Sequence, residues 1–265
     1  TRPKTESAWH PSQGSPGPVS ALETEMTESA APFDRALLDR RRLRMANATG
    51  ADFLLKTVAD ELVDRLSLVQ RHFDVAVDLA SYGGQLAERL SRGAQAGRII
   101  RIERDLRFVQ ESSEAVVADE EALPLRDESV DLVVSALSLH LTNDTPGSLI
   151  QIRRALRPDG LFLAALLGGE SLNELRASLL SAEVEIYGGA SPRVAPFGEL
   201  REVGGLLQRG GFALPVIDQD RLTVRYDTMF DLMRDLRAMG MTNMLHARSR
   251  RPVGRRLFLR AAELY

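Results

Sequence analysis

The chain of 265 residues has no cysteine, a single tryptophan and only 5% aromatic residues. The lack of cysteine excludes disulfide bonds, thiolate metal sites and a cysteine nucleophile, although it does not identify the compartment. No apolar run approaches the roughly 20 residues that a membrane-spanning helix needs. The formal charge of −3 gives no overall electrostatic case for binding nucleic acid. We therefore expect a cytoplasmic protein that contacts a membrane at most peripherally.

The first 32 residues differ in composition from the rest, being rich in Pro, Ser, Gly, Thr and Glu. This composition predicts a disordered N-terminal extension that contributes nothing to a core. Glutamates outnumber basic residues there, unlike in a mitochondrial transit peptide. Met26 precedes the region with globular composition, and we expect the native start there. Residues 33–265 then form one domain, with 44% hydrophobic and 27% charged residues over the whole chain.

Strand and helix patterns alternate after residue 70. Residues 74–79 form a short apolar run, and Gly83 and Gly84 open a helical pattern over 85–90. Further apolar runs that predict strands lie at 98–102, 115–118, 129–135 and 161–166. This alternation predicts an α/β fold, Rossmann-like, with a mostly parallel sheet and helices on both faces. Other segments predict helices at 33–44, 50–68, 146–157, 171–187, 197–209, 228–239 and 253–264, and an alternating strand at 216–226.

Acidic residues stand where the first three predicted strands end. Asp78 ends the first strand, Asp105 follows the second, and Asp119 and Glu120 follow the third. In open parallel sheets the carboxyl ends of the strands line the ligand crevice, and an acidic residue there accepts hydrogen bonds from ribose hydroxyls. The order of these residues predicts a nucleoside site. Asp105 is the first candidate for the ribose, with Glu103 as the alternative if the register is shifted.

These segments in this order resemble the class I S-adenosylmethionine-dependent methyltransferases, in Asp78-Leu79, Asp105, 119–125, 129–131 and Leu156-Arg157-Pro158-Asp159-Gly160. One branch is closer, namely the family of mitochondrial complex I assembly factor 5 and its bacterial relatives. The segments that resemble this branch are 135–140, 143–144, 168–170, 191–197 and 233–240. The resemblance implies S-adenosylmethionine as the cofactor, a respiratory complex I subunit as partner and arginine hydroxylation as a possible chemistry. Relatives continue into a last antiparallel strand, so we expect that strand to be missing here and to leave an unpaired edge.

The resemblance also implies roles for the individual residues. Asp78 would brace the loop or position the amino acid end of the cofactor, and Ser135 would face the methionine end or the substrate. Asp119 would accept a hydrogen bond from the adenine amino group, or cap a helix. Glu120 is a further candidate contact, although a solvated position is the simpler expectation. The cofactor loop would consist of Ala80, Gly83 and Gly84 with Asp78.

The loop departs from the superfamily at two positions, because Ala80 and Tyr82 stand where glycine is usual. Glycine is favoured there since the missing Cβ permits a positive φ and close approach of the backbone to the ligand. The side chain of Tyr82 would either turn outward and leave the backbone path intact, or occupy the space of the methionine part of the cofactor. The second outcome favours a pseudoenzyme that acts as an assembly chaperone.

His140 is the candidate proton acceptor or substrate contact, although a lone histidine at a strand exit is more often structural. Methyl transfer needs little acid–base help, because alignment of the acceptor provides most of the catalysis. The four histidines do not assemble a convincing two-histidine, one-carboxylate iron site, and we predict no metal site. A nicotinamide-dependent dehydrogenase is the remaining alternative, because Asp105 also lies about 20 residues after the turn, but the G-x-G-x-x-G motif is lacking.

We predict different roles for a cluster of four arginines and for Arg193. Arg40, Arg41, Arg42 and Arg44 form a basic cluster that we expect to be a solvated helix face rather than a docking patch for an acidic partner. We expect substrate choice to lie in the helices around 171–211 and in Arg193, where its charge could meet an acidic group.

Overall fold

The computed structural model describes residues 31–43, 52–109 and 114–265. The predicted N-terminal extension, including Met26, therefore lies outside the described residues, except for its last two positions. Arg44 of the basic cluster lies outside them as well.

Five parallel strands form one sheet in the order β3-β2-β1-β4-β5. The strands are β1 (Phe73–Leu79), β2 (Ala96–Glu103), β3 (Ala115–Val117), β4 (Val130–Ala136) and β5 (Leu156–Ala165). The chain order reverses between β1 and β4, which makes this the switch point where ligands bind in doubly wound sheets. The expected α/β fold with a parallel, Rossmann-like sheet is confirmed.

Helices precede, connect and follow the strands, and each predicted helix has a counterpart in the structure. They are α1 (Arg35–Arg42), α2 (Phe53–Ser67), α3 (Gln85–Arg92), α4 (Thr145–Ala155), α5 (Asn173–Tyr187), α6 (Leu200–Arg209), α7 (Met229–Ala238) and α8 (Arg255–Leu264). Short 3₁₀ turns at Leu106–Phe108 and Leu139–Leu141 follow β2 and β4. None of the helices described is long and apolar enough to cross a membrane.

The sheet has an apolar layer on each face. On one side α2 and α3 pack on β1 and β4 through a buried cluster that includes Leu62, Leu86 and Leu132. On the other side α4 packs through Ile152 and Ala155 against Val133 and its neighbours. Burial on both faces explains why β1 and β4 are almost continuously apolar rather than alternating. The carboxyl ends of the strands are thereby left as the edge where polar side chains gather.

The predicted strand at 216–226 is wrong, because this segment has no strand assignment in the structure. Val216, Leu222 and Val224 are all exposed there. Among the described strands, β5 pairs with β4 alone and forms one edge of the sheet. Alternating apolar residues form a stable strand only where a neighbouring strand accepts their backbone hydrogen bonds, and within the described chain residues 216–226 have no such neighbour.

Candidate functional site

The loop between β1 and α3 is strained at the two positions where the sequence lacks glycine. Ala80 has a φ of 54° and Tyr82 a φ of 53°, both in the left-handed region, and Gly84 follows with 77°. This conformation costs a residue with a Cβ about 1–2 kcal/mol. The backbone path that glycines usually provide is therefore kept, with the strain retained. Gly83 lies between Tyr82 and Gly84 and is exposed.

Arg101 donates a hydrogen bond to the backbone of this loop. Its Nη2 donates to the carbonyl of Tyr82 at 2.7 Å and its Nη1 donates to the carbonyl of Phe108 at 2.8 Å. A Cβ on Gly84 would lie 3.0 Å from the Arg101 guanidinium. The sequence analysis missed Arg101, although a basic residue two positions before Glu103 on a buried strand shares its face and was a usable signal.

Two carboxylates are buried beside Arg101. Asp78 is fully buried, with its Oδ2 3.7 Å from the Arg101 Nε, and Glu103 is 1% exposed and accepts from the Arg101 Nη2 at 3.2 Å. Burial raises the pKa of Asp78, and the charge of Arg101 offsets this only in part. Burial, together with the charge of Asp78, raises the pKa of Glu103 well above its usual range. The strand ends thus hold two carboxyl groups that a polar ligand would help to satisfy.

Asp105 has a different environment. Its carboxylate accepts from the Nε and Nη2 of Arg107 at 2.8 and 2.7 Å, and also from the Arg107 backbone N–H. These hydrogen bonds lower the pKa of Asp105 to about 2. Asp105 lines the cleft, but both of its oxygens are already bound to Arg107.

Two arginines of α1, Arg35 and Arg42, reach the acidic residues that follow β3. Arg35 forms ion pairs with Asp119, Glu120 and Glu121. Asp119 also binds Arg104; although burial raises the pKa of Asp119, its backbone hydrogen bond and these arginines leave it below its ordinary value. The expectation that Glu120 is solvated is wrong, since it is 2% exposed and accepts from Arg35 at 2.6 Å and from Ser138 at 2.8 Å.

The expectation of a solvated arginine cluster is wrong for Arg42, which is 3% exposed. Its guanidinium carbon lies 4.0 Å from the centroid of the Tyr82 ring. The ring itself is buried and meets Phe108 edge-on, with centroids 5.9 Å apart. Tyr82 therefore turns inward, so the outward alternative is wrong. Arg41 donates to the carbonyl of Asn243, and Arg40 is exposed as expected.

Ser135 and His140 come from β4 and the turn after it. The hydroxyl of Ser135 donates to the carbonyl of Leu79 at 3.0 Å, so it braces β1 against β4. Both ring nitrogens of His140 are buried, and its ring meets Phe197 edge-on at 5.5 Å. Burial, with a smaller effect of the Arg42 charge, lowers the pKa of His140 to about 3. The imidazole is therefore neutral at physiological pH and able to accept a hydrogen bond, whereas the lowered pKa makes it a weak proton acceptor.

Buried polar atoms without a hydrogen-bond partner concentrate around this cleft. We call them the unpartnered atoms. Within residues 31–43, 52–109 and 114–265 they belong to nine residues: Arg35, Arg42, Asp78, Ser81, Tyr82, Gln85, Arg101, Glu103 and His140. In native proteins such atoms are rare, and each calls for an explanation such as a ligand. The same described ranges contain no group of three His, Cys, Asp or Glu residues arranged to hold a metal ion.

The space that remains in the cleft is small. A cavity of about 10 Å³ is lined by Tyr82, Glu103, Asp105, Phe108 and their neighbours Asp39, Arg42 and Arg104. Ligand pockets usually enclose about 300–1,000 Å³. The side chains of Tyr82 and Arg42 fill the cleft in this conformation, and a nucleoside enters only if they move.

Comparison with known proteins agrees with this geometry. A family model described as a methyltransferase domain matches residues 77–164, which run from the end of β1 to nearly the end of β5. The mitochondrial arginine-hydroxylase NDUFAF5 of Homo sapiens is 40% identical over 220 residues, covering 80% of this chain and 64% of that protein. The counterpart from Danio rerio is 36% identical and is covered to 68%. The chain thus spans about two thirds of the length of these relatives.

A second group of relatives carries a different name. Malonyl-[acyl-carrier protein] O-methyltransferase of Laribacter hongkongensis is 32% identical over 264 residues, covering 93% of this chain and 84% of that protein. The solved structure of an S-adenosylmethionine-dependent methyltransferase from Thermotoga maritima superimposes with a TM-score of 0.50 and 19% identity, covering 66% of this chain and 81% of that chain. The structural likeness supports the fold.

Proposed function

The chain belongs to the class I S-adenosylmethionine-dependent methyltransferase family, in the group that contains NDUFAF5 and malonyl-[acyl-carrier protein] O-methyltransferases, and we propose that it is an enzyme that modifies a protein-linked acceptor. Membership implies S-adenosylmethionine as the cofactor. The unpartnered atoms carry the proposal, because they lie where the switch point of the sheet predicts a ligand.

The chemistry of the cleft fits this cofactor. Glu103 offers an unpartnered Oε2 for the ribose hydroxyls, and both oxygens of Asp78 are available for the ammonium group of the methionine part. Arg42 offers two unpartnered Nη atoms, which suit a carboxylate. Glu103 is the stronger ribose candidate than Asp105, because the Asp105 carboxylate already has two hydrogen bonds from the Arg107 side chain. Asp119 stays our candidate for the adenine amino group.

Catalysis then depends mainly on alignment. The bound cofactor supplies an activated methyl group, and the protein has to orient the acceptor and exclude water. Arg101 fixes the loop through the Tyr82 carbonyl, and Ser135 fixes the distance between β1 and β4. His140 stays our candidate substrate contact: burial lowers its pKa to about 3, so the neutral imidazole can accept a hydrogen bond from the acceptor but is too weak a base to take its proton in this conformation.

We place the acceptor on a protein because both groups of relatives carry names that fit this idea. The malonyl-[acyl-carrier protein] enzyme methylates a group carried by a protein, and NDUFAF5 is named an arginine-hydroxylase. The resemblance to complex I assembly factors makes a respiratory complex I subunit our proposed partner, with the protein in the cytoplasm or peripherally at the inner membrane. Arginine hydroxylation is the alternative chemistry, and it requires an oxidant besides this cofactor.

Isothermal titration calorimetry with S-adenosylmethionine and S-adenosylhomocysteine tests the cofactor site. We expect binding by the wild-type chain, a loss of roughly tenfold to hundredfold in Glu103→Gln, and a smaller loss in Asp105→Asn, since a hydrogen bond to a charged group contributes about 1.5–3 kcal/mol. Equal affinity of wild type and Glu103→Gln would remove the ribose assignment. Mass spectrometry of a co-expressed complex I subunit then distinguishes an added methyl group from an added oxygen.

A pseudoenzyme that acts as an assembly chaperone is the second candidate. The inward position of Tyr82 and Arg42, with a remaining cavity of about 10 Å³, favours it. No heat of binding with either ligand, together with retained binding of a partner subunit, would support this reading over the enzymatic one.

A further inference from the structure

Tyr82 is energetically unfavourable at its position. Its φ of 53° costs about 1–2 kcal/mol, which glycine would avoid. Its ring is buried in the cleft, and its hydroxyl is one of the unpartnered atoms of the described chain. The hydroxyl therefore does not explain the side chain, whereas the ring face does have a partner.

The partner of the ring face is Arg42, whose guanidinium group has few other interactions. The guanidinium carbon of Arg42 lies 4.0 Å from the ring centroid, within the range of a cation–π interaction. Its nearest ion pair within the described residues is loose, with Nη1 3.9 Å from the Glu120 Oε1. Neither Nη forms a hydrogen bond with any other described residue. The ring face binds positive charge, and its present occupant is free to be displaced.

The surroundings favour a cation over a neutral group. The Glu120 carboxylate lies 3.9 Å from the Arg42 Nη1, and Glu103 lines the same cavity as the ring. The rings of Tyr82 and Phe108 are inclined by 69° to each other, and both residues line the cavity. His140 does not compete for the site, because burial keeps it neutral.

We propose that the face of Tyr82 is a cation subsite that selects the sulfonium of S-adenosylmethionine over its neutral product, with Arg42 occupying it in the present conformation. This rests on the proposed function and assigns a specificity to a residue that replaces a glycine. S-adenosylmethionine and S-adenosylhomocysteine differ by one methyl group and one positive charge, so the attraction of the ring applies to the first alone. The product would leave, and Arg42 would return to the ring.

Calorimetry with both ligands on full-length variants tests the subsite. Tyr82→Phe keeps the ring and should bind each ligand within about threefold of wild type. Tyr82→Leu removes the ring, and we expect S-adenosylmethionine to bind roughly tenfold more weakly while S-adenosylhomocysteine changes by less than about threefold. Arg40→Met, on the exposed face of the same helix as Arg42, is the control and should not differ from wild type. Thermal unfolding of each variant confirms that it is folded.

The outcomes separate the two proposals. A Tyr82→Leu variant that is folded and loses both ligands equally would overturn the cation subsite but leave the cofactor site standing. If wild type binds neither ligand, both proposals fail. If Tyr82→Leu does not fold, Tyr82→Phe and the wild-type preference decide, since a wild type that binds the neutral product as tightly as the cofactor has no such selectivity.

Discussion

Two buried glutamates in this molecule have opposite surroundings. Glu183 on α5 is 5% exposed and accepts four hydrogen bonds, two from Ser191 and two from Arg193 at 2.6 and 2.9 Å. Glu103 at the end of β2 is 1% exposed and accepts one, from Arg101 at 3.2 Å. Burial raises the pKa of Glu183, but the hydrogen bonds outweigh it and leave it below its ordinary value, whereas the pKa of Glu103 is well above it.

The difference separates structure from function. A buried carboxylate with a full set of donors stabilises the fold, because its desolvation is offset by charge-assisted hydrogen bonds. A buried carboxylate with an unused oxygen costs stability, and it persists where a ligand supplies the missing donors. Arg193 does meet an acidic group, as the sequence analysis expected, but that group is Glu183 of the same chain rather than a substrate.

The largest effect on stability should come from replacing Arg193, which donates two of the four hydrogen bonds to Glu183. Arg193→Met leaves the Glu183 carboxylate buried without its main partner, and we expect a loss of about 3 kcal/mol in the free energy of unfolding. Urea unfolding measures it, with Arg201→Met on the exposed side of α6 as the control. A loss below about 1 kcal/mol would mean that the cluster is not a source of stability.

Replacing each of the two glutamates by glutamine contrasts their contributions to the free energy of unfolding most directly. Glu183→Gln should lose about 2 kcal/mol, because an amide NH₂ then faces donors. Glu103→Gln should lose less than about 1 kcal/mol in the free energy of unfolding, since it replaces a buried carboxyl group that has few partners. Similar losses in the two variants would show that Glu103 is as structural as Glu183.

The pH dependence of these variants should have opposite signs. The lowered pKa of Glu183 supplies stability above the ordinary glutamate pKa that is lost as pH falls through the lowered value. The raised pKa of Glu103 means that wild type is favoured at low pH and loses stability relative to Glu103→Gln as pH rises through that raised value. The slope for one group is at most about 1.4 kcal/mol per pH unit. Unfolding between about pH 2 and pH 8 measures both differences, the Glu183 effect at the acid end and the Glu103 effect above the ordinary glutamate pKa; parallel curves would contradict the assignment.

The smallest effect concerns the strained loop. Ala80→Gly relieves a φ of 54°, and we expect a gain of up to about 1 kcal/mol, reduced by the greater freedom of glycine in the unfolded chain. Ala87→Gly, inside α3, should instead lose about 1 kcal/mol, since a helical Ala has no strain to relieve. A loss in both variants would mean that Ala80 is not strained.

Much of the fold could be predicted from the sequence. The continuous apolar runs at β1 and β4 and the glycines before α3 predicted a parallel α/β sheet, and the helices were found within a few residues of their expected ends. Patterns of this kind are local, because strand and helix periods depend on residues close in the chain. The exception is the segment 216–226, whose alternating pattern alone does not provide a neighbouring strand.

The sequence by itself also determined which residues end the strands, including Asp78, Glu103 and Asp119, because their order follows the apolar runs. Only the tertiary structure decided which of them are satisfied: Asp105 is bound by Arg107, Glu120 is buried against Arg35, and Arg42 lies on the ring of Tyr82. The physical reason is that burial and charge pairing depend on residues distant in the chain: Arg35 of α1 and Glu120 are 85 residues apart. No local pattern encodes that approach.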